Sequence, residues 1–200
     1  MITPLLLEAH PTAAQEKITD QVAVIVMRNH IFAATPDEGL IRLDLSAGEE
    51  VLAVEARGIN ALVQTSTRLL GFSGKTQRWS EQRTDLYEQV LEKRVTPRLI
   101  FVRTNKRLYG FLGLSGRWSA EELGAREELR DVVVADHITV AVTERRVLAF
   151  SAFTGGFFSQ DLQLGERVTE TMANDNIVIL TTPVRRLIFR SQLKIWTELR

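Results

Sequence analysis

The chain has 200 residues, of which 44% are hydrophobic and 25% are charged, a balance typical of a single globular domain. Its 25 Lys and Arg residues equal its 25 Asp and Glu residues in number, which argues against a protein that is held to nucleic acid by a basic surplus. Cysteine is absent, which excludes disulfides, thiolate metal ligands and cysteine nucleophiles.

The N-terminal segment does not have the pattern of an export signal. Its apolar run, residues 5–7, is too short for a signal peptide, and no basic residue precedes it. The longest apolar run of the chain, residues 22–27, is far shorter than a membrane span. We therefore expect a cytoplasmic protein with no membrane segment.

An internal repeat of 39 residues organises the rest of the chain. Five registers recur at this spacing in four copies each, and repetition on this scale indicates a solenoid or a propeller. The registers are Thr65, Thr104, Thr143 and Thr182; Arg68, Arg107, Arg146 and Arg185; Phe72, Phe111, Phe150 and Phe189; Trp79, Trp118, Phe157 and Trp196; and Glu49, Glu88, Glu127 and Glu166.

Each unit contains four predicted strands, which we label a to d in chain order. Strand a is a run rich in β-branched residues, such as residues 138–143, and strand b follows a tight polar turn, as in residues 146–150. Strand c carries the Trp/Phe register, and strand d follows the repeated Glu. Residues 84–94 and 119–130 have a helix-favouring composition, but the equivalent residues 160–172 do not, so the repeat takes precedence.

The repeat predicts an all-β fold, a five-bladed β-propeller in which residues 1–200 form one domain. The blade units are expected at residues 21–59, 60–98, 99–137, 138–176, and 177–200 together with 1–20. The last unit ends after strand c, whereas about twenty residues precede the first strand a. Because an open solenoid would need polar capping repeats, we expect an N-terminal strand, residues 3–8 or 15–19, to join the C-terminal blade and close the ring.

One segment resembles a known family of propeller repeats. Residues 147–158, VLAFSAFTGGFF, are similar to the quinoprotein-type (PQQ-like) repeat, in which a hairpin ends in an Ala-Leu-Asp-like segment followed by Thr-Gly and then Trp. Thr154, Gly155 and the Trp/Phe register match this pattern, whereas Ser151 stands in place of its Asp. The resemblance implies the propeller architecture alone, and we expect no cofactor.

The repeated side chains have a structural and a functional interpretation. The Trp/Phe register suits packing between adjacent blades, and it also suits stacking on a carbohydrate. The repeated Arg residues follow the a–b turn, where they would form a ring of guanidinium groups able to bind an anion. The alternative is that each Arg pairs with the repeated Glu of its own unit. Both interpretations are open for this candidate anion-binding set: Arg68, Arg107, Arg146 and Arg185.

Residues that break the repeat are the stronger candidates for a binding site, because one asymmetric ligand does not require repetition. The positions just before strand a collect polar residues in some units only, and strand a was expected to line the central channel. Ordinary turn preferences of Asn and Asp would also explain them. The candidate ligand-binding residues are Asp20, Arg98, Asp136, His137, Asp175 and Asn176.

No catalytic or metal-binding motif was found in the sequence. The three His residues, His10, His30 and His137, have no metal-ligand spacing, and no phosphate-binding or nucleophile motif is present. We therefore expect a non-catalytic propeller that binds a protein partner, without nucleic acid, metal or membrane. The alternatives are a lectin-like propeller that binds a small ligand or carbohydrate, and a hydrolase that uses Asp20, Asp136 and Asp175.

Overall fold

A computed structural model of the chain describes residues 21–37 and 39–200. Every regular element in these residues is a β-strand, which confirms the all-β prediction. The helix-favouring residues 119–130 contribute instead to two strands and the link between them. Tertiary context therefore overrides local helix propensity in these residues.

Nineteen strands of the described residues form five antiparallel sheets, which we number in chain order. Sheet 1 contains β1 (Ala23–Met27), β2 (His30–Ala34) and β3 (Leu40–Asp44). Sheet 2 contains β4 (Val51–Arg57), β5 (Asn60–Thr65), β6 (Arg68–Ser73) and β7 (Arg78–Arg83). Sheet 3 contains β8 (Val90–Val95), β9 (Leu99–Thr104), β10 (Arg107–Leu112) and β11 (Arg117–Glu122). Sheet 4 contains β12 (Leu129–Val134), β13 (Ile138–Thr143), β14 (Arg146–Ser151) and β15 (Phe157–Asp161). Sheet 5 contains β16 (Glu170–Asn174), β17 (Ile177–Thr181), β18 (Arg186–Arg190) and β19 (Ile195–Leu199).

The sheets divide the repeat one strand earlier than the sequence predicted. Strand d pairs with strand a of the following unit, as β4 does with β5 from Arg57↔Asn60 to Val51↔Thr65. The two strands are joined by a tight turn in which Gly58 has a φ of +57°, a conformation that suits glycine. The predicted units, such as residues 21–59, are therefore split between two sheets, and the sheet order is d-a-b-c.

This strand order removes the argument for closing the ring at the C-terminal blade. Sheet 5 takes all four of its strands from residues 170–199, so it lacks no strand d. Sheet 1 is the sheet with three strands, and β1 forms its edge. The prediction that an N-terminal strand completes the last blade was thus based on dividing the repeat at the wrong strand. Its candidate segments, residues 3–8 and 15–19, lie outside the described residues.

Consecutive sheets pack face to face through the apolar side chains of strands a and b. In sheets 2 to 4 both faces of these central strands are buried, as the Ile138–Thr143 strand shows along its whole length. We call the side of a sheet that packs on the next sheet in chain order its forward face and the other side its backward face. In sheets 1 and 5 the two faces are assigned from the equivalent residues of the other sheets. Strand a is a central strand of sheets 2 to 5, and not the edge strand beside a channel that the sequence analysis expected.

Candidate functional site

The repeated Thr, Glu and Arg form a buried cluster at one end of sheets 2 to 5. In sheet 5 the Glu166 side chain is 1% exposed, and the Arg185 side chain is 5% exposed. Arg185 donates from Nη2 to Glu166 Oε2 over 2.8 Å, and Thr182 Oγ1 lies 2.8 Å from Glu166 Oε1. The backbone N–H of Gln163 also donates to the carboxylate, over 2.7 Å. The cluster therefore joins the link before strand d to the a–b turn.

The same cluster recurs in the other three units. Arg68 Nε lies 2.8 Å from Glu49 Oε1, and Arg146 Nε lies 2.8 Å from Glu127 Oε1. Arg107 departs from this pattern, since it lies 3.3 Å from Glu88 and makes a shorter contact, 2.7 Å, with Asp85. All four Arg residues are thus paired with carboxylates, and Arg146 also contacts Glu121 of sheet 3 over 2.6 Å. Each Arg pairs with the repeated Glu of the preceding predicted unit, as Arg68 does with Glu49, so the prediction of an ion pair within one unit was wrong in its partner. The four paired Arg residues leave no converging ring of unpaired guanidinium groups.

The pKa values of these buried carboxylates predict how stability depends on pH. Hydrogen bonds from Arg185, the Gln163 backbone and Thr182 lower the pKa of Glu166 to about 2. Burial of Glu49 raises its pKa, but bonds from Arg68, Thr65 and the Ser46 backbone outweigh this and lower it to about 2. Because the folded pKa lies below the unfolded value, each group stabilises the fold above about pH 4.5 and loses that contribution as pH falls towards 2.

We expect the free energy of unfolding to fall by about 3 kcal/mol per such carboxylate between pH 5 and pH 2. Urea titrations at several pH values would measure this slope. Glu166→Gln should flatten it, whereas Glu128→Gln, at a side chain that is 72% exposed, should leave it unchanged. Equal slopes in the Glu166→Gln variant and the unaltered protein would contradict the assignment.

The Trp/Phe register packs between sheets, as its structural interpretation predicted. The indole N–H of Trp196 donates to the Phe158 carbonyl of sheet 4 over 2.9 Å, and Trp118 makes the equivalent bond to Ser80 over 3.3 Å. Each Trp also lies against the Phe of the neighbouring strand, with ring centroids 5.0 to 5.1 Å apart. A carbohydrate site built on these rings would compete with this packing.

The opposite end of the sheets, formed by the d–a and b–c turns, carries the residues that break the repeat. His137 is half-buried there, and its ring stacks on Phe153 with centroids 4.8 Å apart and planes 6° from parallel. Its backbone N–H donates to the Asp175 carbonyl of sheet 5 over 3.2 Å, and its carbonyl accepts from Ala152 over 2.9 Å. Within the described chain, the buried Nδ1 of His137 has no hydrogen-bond partner. We call this region, defined by the turns around His137, the asymmetric turn end.

Charged groups surround the imidazole of His137. Burial lowers its pKa, Arg98 lowers it further, and Asp136 and Asp175 act in the opposite direction. Burial and Arg98 prevail, so the pKa of His137 lies below its ordinary value. The structure thus brings Arg98, Asp136 and Asp175 within electrostatic reach of the His137 side chain.

The candidate ligand-binding residues, which precede strand a, differ in their exposure to solvent. Arg98 and Asp136 are half-buried, whereas Asp175 and Asn176 are exposed. The carbonyl of Asn176 accepts from Ser191 N over 3.0 Å, which is an ordinary turn contact. Asp20 lies outside the described residues. The set is therefore a row of turns at one end of sheets 3 to 5 and not the rim of a channel lined by strand a.

Sequence reasoning missed two contributors to the asymmetric turn end. Phe153 supplies the aromatic surface, and Thr96 lies 3.3 Å from the Asp136 carbonyl through its Oγ1, which ties sheet 3 to sheet 4. Phe153 could have been identified from the sequence. The residues one and two repeats earlier are Leu114 and Lys75, so an aromatic residue at this position departs from the repeat. Thr96 carried no such signal, because a Thr beside Pro97 reads as an ordinary turn residue.

A polar cleft lies at the Thr–Glu–Arg end, between the a–b turn of sheet 3 and the link to sheet 4. It is lined by residues 105–107 and 122–128. Its charges alternate in sign, with Lys106 and Arg126 against Glu122 and Glu128. No group of three or more His, Asp or Glu residues in the described residues could hold a metal ion. Residues 21–37 and 39–200 contain no helix long and apolar enough to cross a bilayer.

Comparisons with known proteins give similarity to solved structures only. No family model matches the chain, and no curated protein matches it. Yeast RCC1 (Prp20) bound to Kap60 aligns at 7% identity, covering 85% of this chain and 54% of that one, with a TM-score of 0.40. HIRA(644-1017) aligns at 12% identity, covering 90% and 56%, with a TM-score of 0.40. Kluyveromyces lactis Hsv2 aligns at 9% identity, covering 91% and 61%, with a TM-score of 0.39.

These three solved structures are β-propeller proteins. The chain spans a little over half the length of each of them. The resemblance to quinoprotein-type repeats is matched by no family model and stays a prediction.

Proposed function

We propose that the chain is a protein-interaction module that contacts its partner through the asymmetric turn end. This proposal rests on a difference between the polar side chains at the two ends of the sheets. The repeated Thr, Glu and Arg residues bond to one another inside each sheet, whereas the unrepeated Arg98, Asp136, His137 and Asp175 gather at the other end. A surface that serves only to stabilise the fold would be expected to repeat with the fold.

The shape of the asymmetric turn end favours a protein partner. The d–a turns contain two or three residues, so the sheets end in a broad and open surface. Small molecules are held by concave pockets that cover most of their area, whereas protein partners bind open surfaces with an aromatic anchor and a charged rim. Phe153 is 37% exposed and stacks on a half-buried His137, so its ring is held in place before any partner binds.

The chemistry of the surface indicates what a partner segment would offer. Arg98 carries a positive charge, Asp136 and Asp175 carry negative charges, and Phe153 offers an apolar ring stacked on His137. A peptide segment with an apolar side chain flanked by charges of both signs would complement this pattern. Rigid aromatic anchors of this kind contribute most of the binding energy in many interfaces.

A display selection of random peptides on the purified protein tests this proposal. Peptides selected for binding should lose at least about tenfold in affinity for the Phe153→Ala variant, a loss of about 1.4 kcal/mol. Leu114→Ala is the matched control, since Leu114 occupies the equivalent b–c turn of sheet 3 and is 39% exposed. Equal loss in both variants, or in neither, would place the binding surface elsewhere.

A further inference from the structure

The stack of sheets ends in two uncovered apolar faces. The extensive contacts between strands of different sheets join consecutive sheets in the part of the chain that is described. On the forward face of sheet 5, Ile177 is 38% exposed and Ile195 is 57% exposed. On the backward face of sheet 1, Met27 is 56% exposed and Leu40 is 59% exposed. The equivalent position of Ile177 in sheet 4, Ile138, is fully buried.

At each junction inside the stack, a large ring on one sheet fills the space above a small residue on the sheet before it. A Cβ added to Gly71 would lie 2.6 Å from the Phe111 ring, and one added to Gly110 would collide with the Phe150 ring. Ala33 and Phe72 share one buried cluster, and Ala149 and Phe189 share another. The small residues of the four forward faces are Ala33, Gly71, Gly110 and Ala149.

The two end faces reverse this arrangement of large and small residues. The forward position of sheet 5 that pairs with Ile179 and Thr197 holds Ile188, where sheets 1 to 4 have Ala or Gly. In sheet 2, Ala61, Phe72 and Trp79 are paired across strands a, b and c and form one row of the backward face. The equivalent row of sheet 1 consists of Ala23, Ala34 and Leu40. A large residue, Ile188, thus stands where a small one is usual, although it is only 9% exposed, and Ala34 stands where a Phe is usual. Close packing favours complementary volumes of this kind.

The polar groups at the margins of the two faces are also complementary. Arg186 is exposed on the forward face of sheet 5, in the row that ends at the a–b turn. The corresponding row of sheet 1 ends in Asp44, whose side chain is 67% exposed although it contacts Arg42 and His30. Asp44 could accept a further hydrogen bond from Arg186, and its pairing with Arg42 limits how much this contact contributes.

We propose that the forward face of sheet 5 binds the backward face of sheet 1 in a second copy of this chain. A contact within one chain would form without the entropy cost of association, yet Ile177 and Ile195 on one face and Met27 and Leu40 on the other are exposed. These side chains offer apolar surface that another molecule can cover. The contact joins unlike surfaces, so it is head to tail and builds either a closed assembly or a growing filament. It would hold several asymmetric turn ends in one particle.

Cross-linking through new cysteines tests the proposal in a chain that has none of its own. Leu40→Cys and Ile195→Cys are prepared separately, mixed and oxidised. A disulfide-linked species with twice the 22.6 kDa of one chain is the expected product. Leu193→Cys replaces Ile195→Cys in the control, since Leu193 is 59% exposed but lies in the b–c turn beyond the face. This control mixture should give at least about tenfold less product.

Two results would overturn the proposal. An internal disulfide in the double variant Leu40→Cys/Ile195→Cys, without linked dimer, would show that one chain closes on itself. A monomer by light scattering at all concentrations, with no cross-link, would show that the faces stay uncovered.

The exchange of large and small residues at positions 34 and 188 allows a second and independent test with substitutions. Ala34→Phe should weaken the assembly measured by light scattering by about tenfold, because the ring would meet Ile188. Combining it with Ile188→Ala should restore assembly, since this pair recreates the arrangement of the other junctions. The thermal midpoint of each variant at low concentration shows whether the chain remains folded. Equal weakening in the single and double variants would overturn the face pairing.

Discussion

Replacing Arg185 with Met is expected to lower the free energy of unfolding by about 3 to 5 kcal/mol, because it leaves the buried Glu166 carboxylate without its cation. Glu166 is 1% exposed and bonds to Arg185 through both oxygens. For a chain of this length the loss corresponds to a fall in melting temperature of about 10 °C. Calorimetry or urea unfolding at pH 7 measures it.

The equivalent variant in sheet 3, Arg107→Met, is the matched control. Arg107 lies 3.3 Å from Glu88, and Glu88 also accepts from the Tyr109 hydroxyl over 2.9 Å. Burial raises the pKa of Tyr109 to about 12, so this hydroxyl stays protonated and keeps donating. Arg107→Met should therefore cost less than Arg185→Met. A stable Arg185→Met variant that had lost affinity for a polyanion would favour the anion-binding interpretation instead.

Replacing Gly71 with Val is expected to destabilise the fold by about 3 kcal/mol. A Cβ at this position would lie 2.6 Å from the buried Phe111 ring and 3.0 Å from the Trp118 ring of the next sheet. The Phe111 ring has no room to withdraw, because it is fully buried against sheet 2. Thermal unfolding followed by near-ultraviolet circular dichroism reports both the stability and the packing of these rings.

Gly39→Val provides the comparison for this substitution. A Cβ at Gly39 would meet no atom within 4 Å, and its backbone is not in the left-handed region. Its melting temperature should stay within about 2 °C of that of the unaltered protein. Equal effects of the two substitutions would mean that sheets 2 and 3 are not packed as described.

The sequence predicts the strands well because the repeat samples each position four times. A helix-favouring stretch such as residues 119–130 is outweighed by its equivalents, and the structure places β11 and β12 there. The phase of the sheets was not predictable in the same way. A repeat has no intrinsic start, and only the short turn from Arg57 to Asn60 decides that strand d pairs forward.

The first unit also hides a local shift of one residue. Ala33 pairs with Ile41, and Gly71 pairs with Ser80, so Ala33 takes the place of Gly71 at a spacing of 38 and not 39. The repeat is weakest in this unit, where Leu40 stands in the Trp register. A one-residue shift moves every side chain of a strand to the other face, so strict spacing would have assigned Phe32 to the wrong side.

Two kinds of position gave information about the candidate site. Some residues recur with the repeat, and others are present in some units only. Co-repetition of Arg and Glu suggested ion pairs but assigned each Arg to the Glu of its own unit. The structure pairs it with the Glu of the preceding unit, because strand d joins the following sheet. The grouping of Arg98, Asp136, His137 and Asp175 followed from their common position before strand a. The stacking of His137 on Phe153 was not predictable, because it depends on how two turns of one sheet fold towards each other.

Hydrogen–deuterium exchange with a display-selected peptide bound tests most directly where the partner binds. The asymmetric turn end predicts slower exchange at residues 96–98, 135–137, 152–156 and 175–176, with little change elsewhere. Protection of residues 105–107 and 122–128 instead would place the partner in the polar cleft at the Thr–Glu–Arg end and contradict the proposed function.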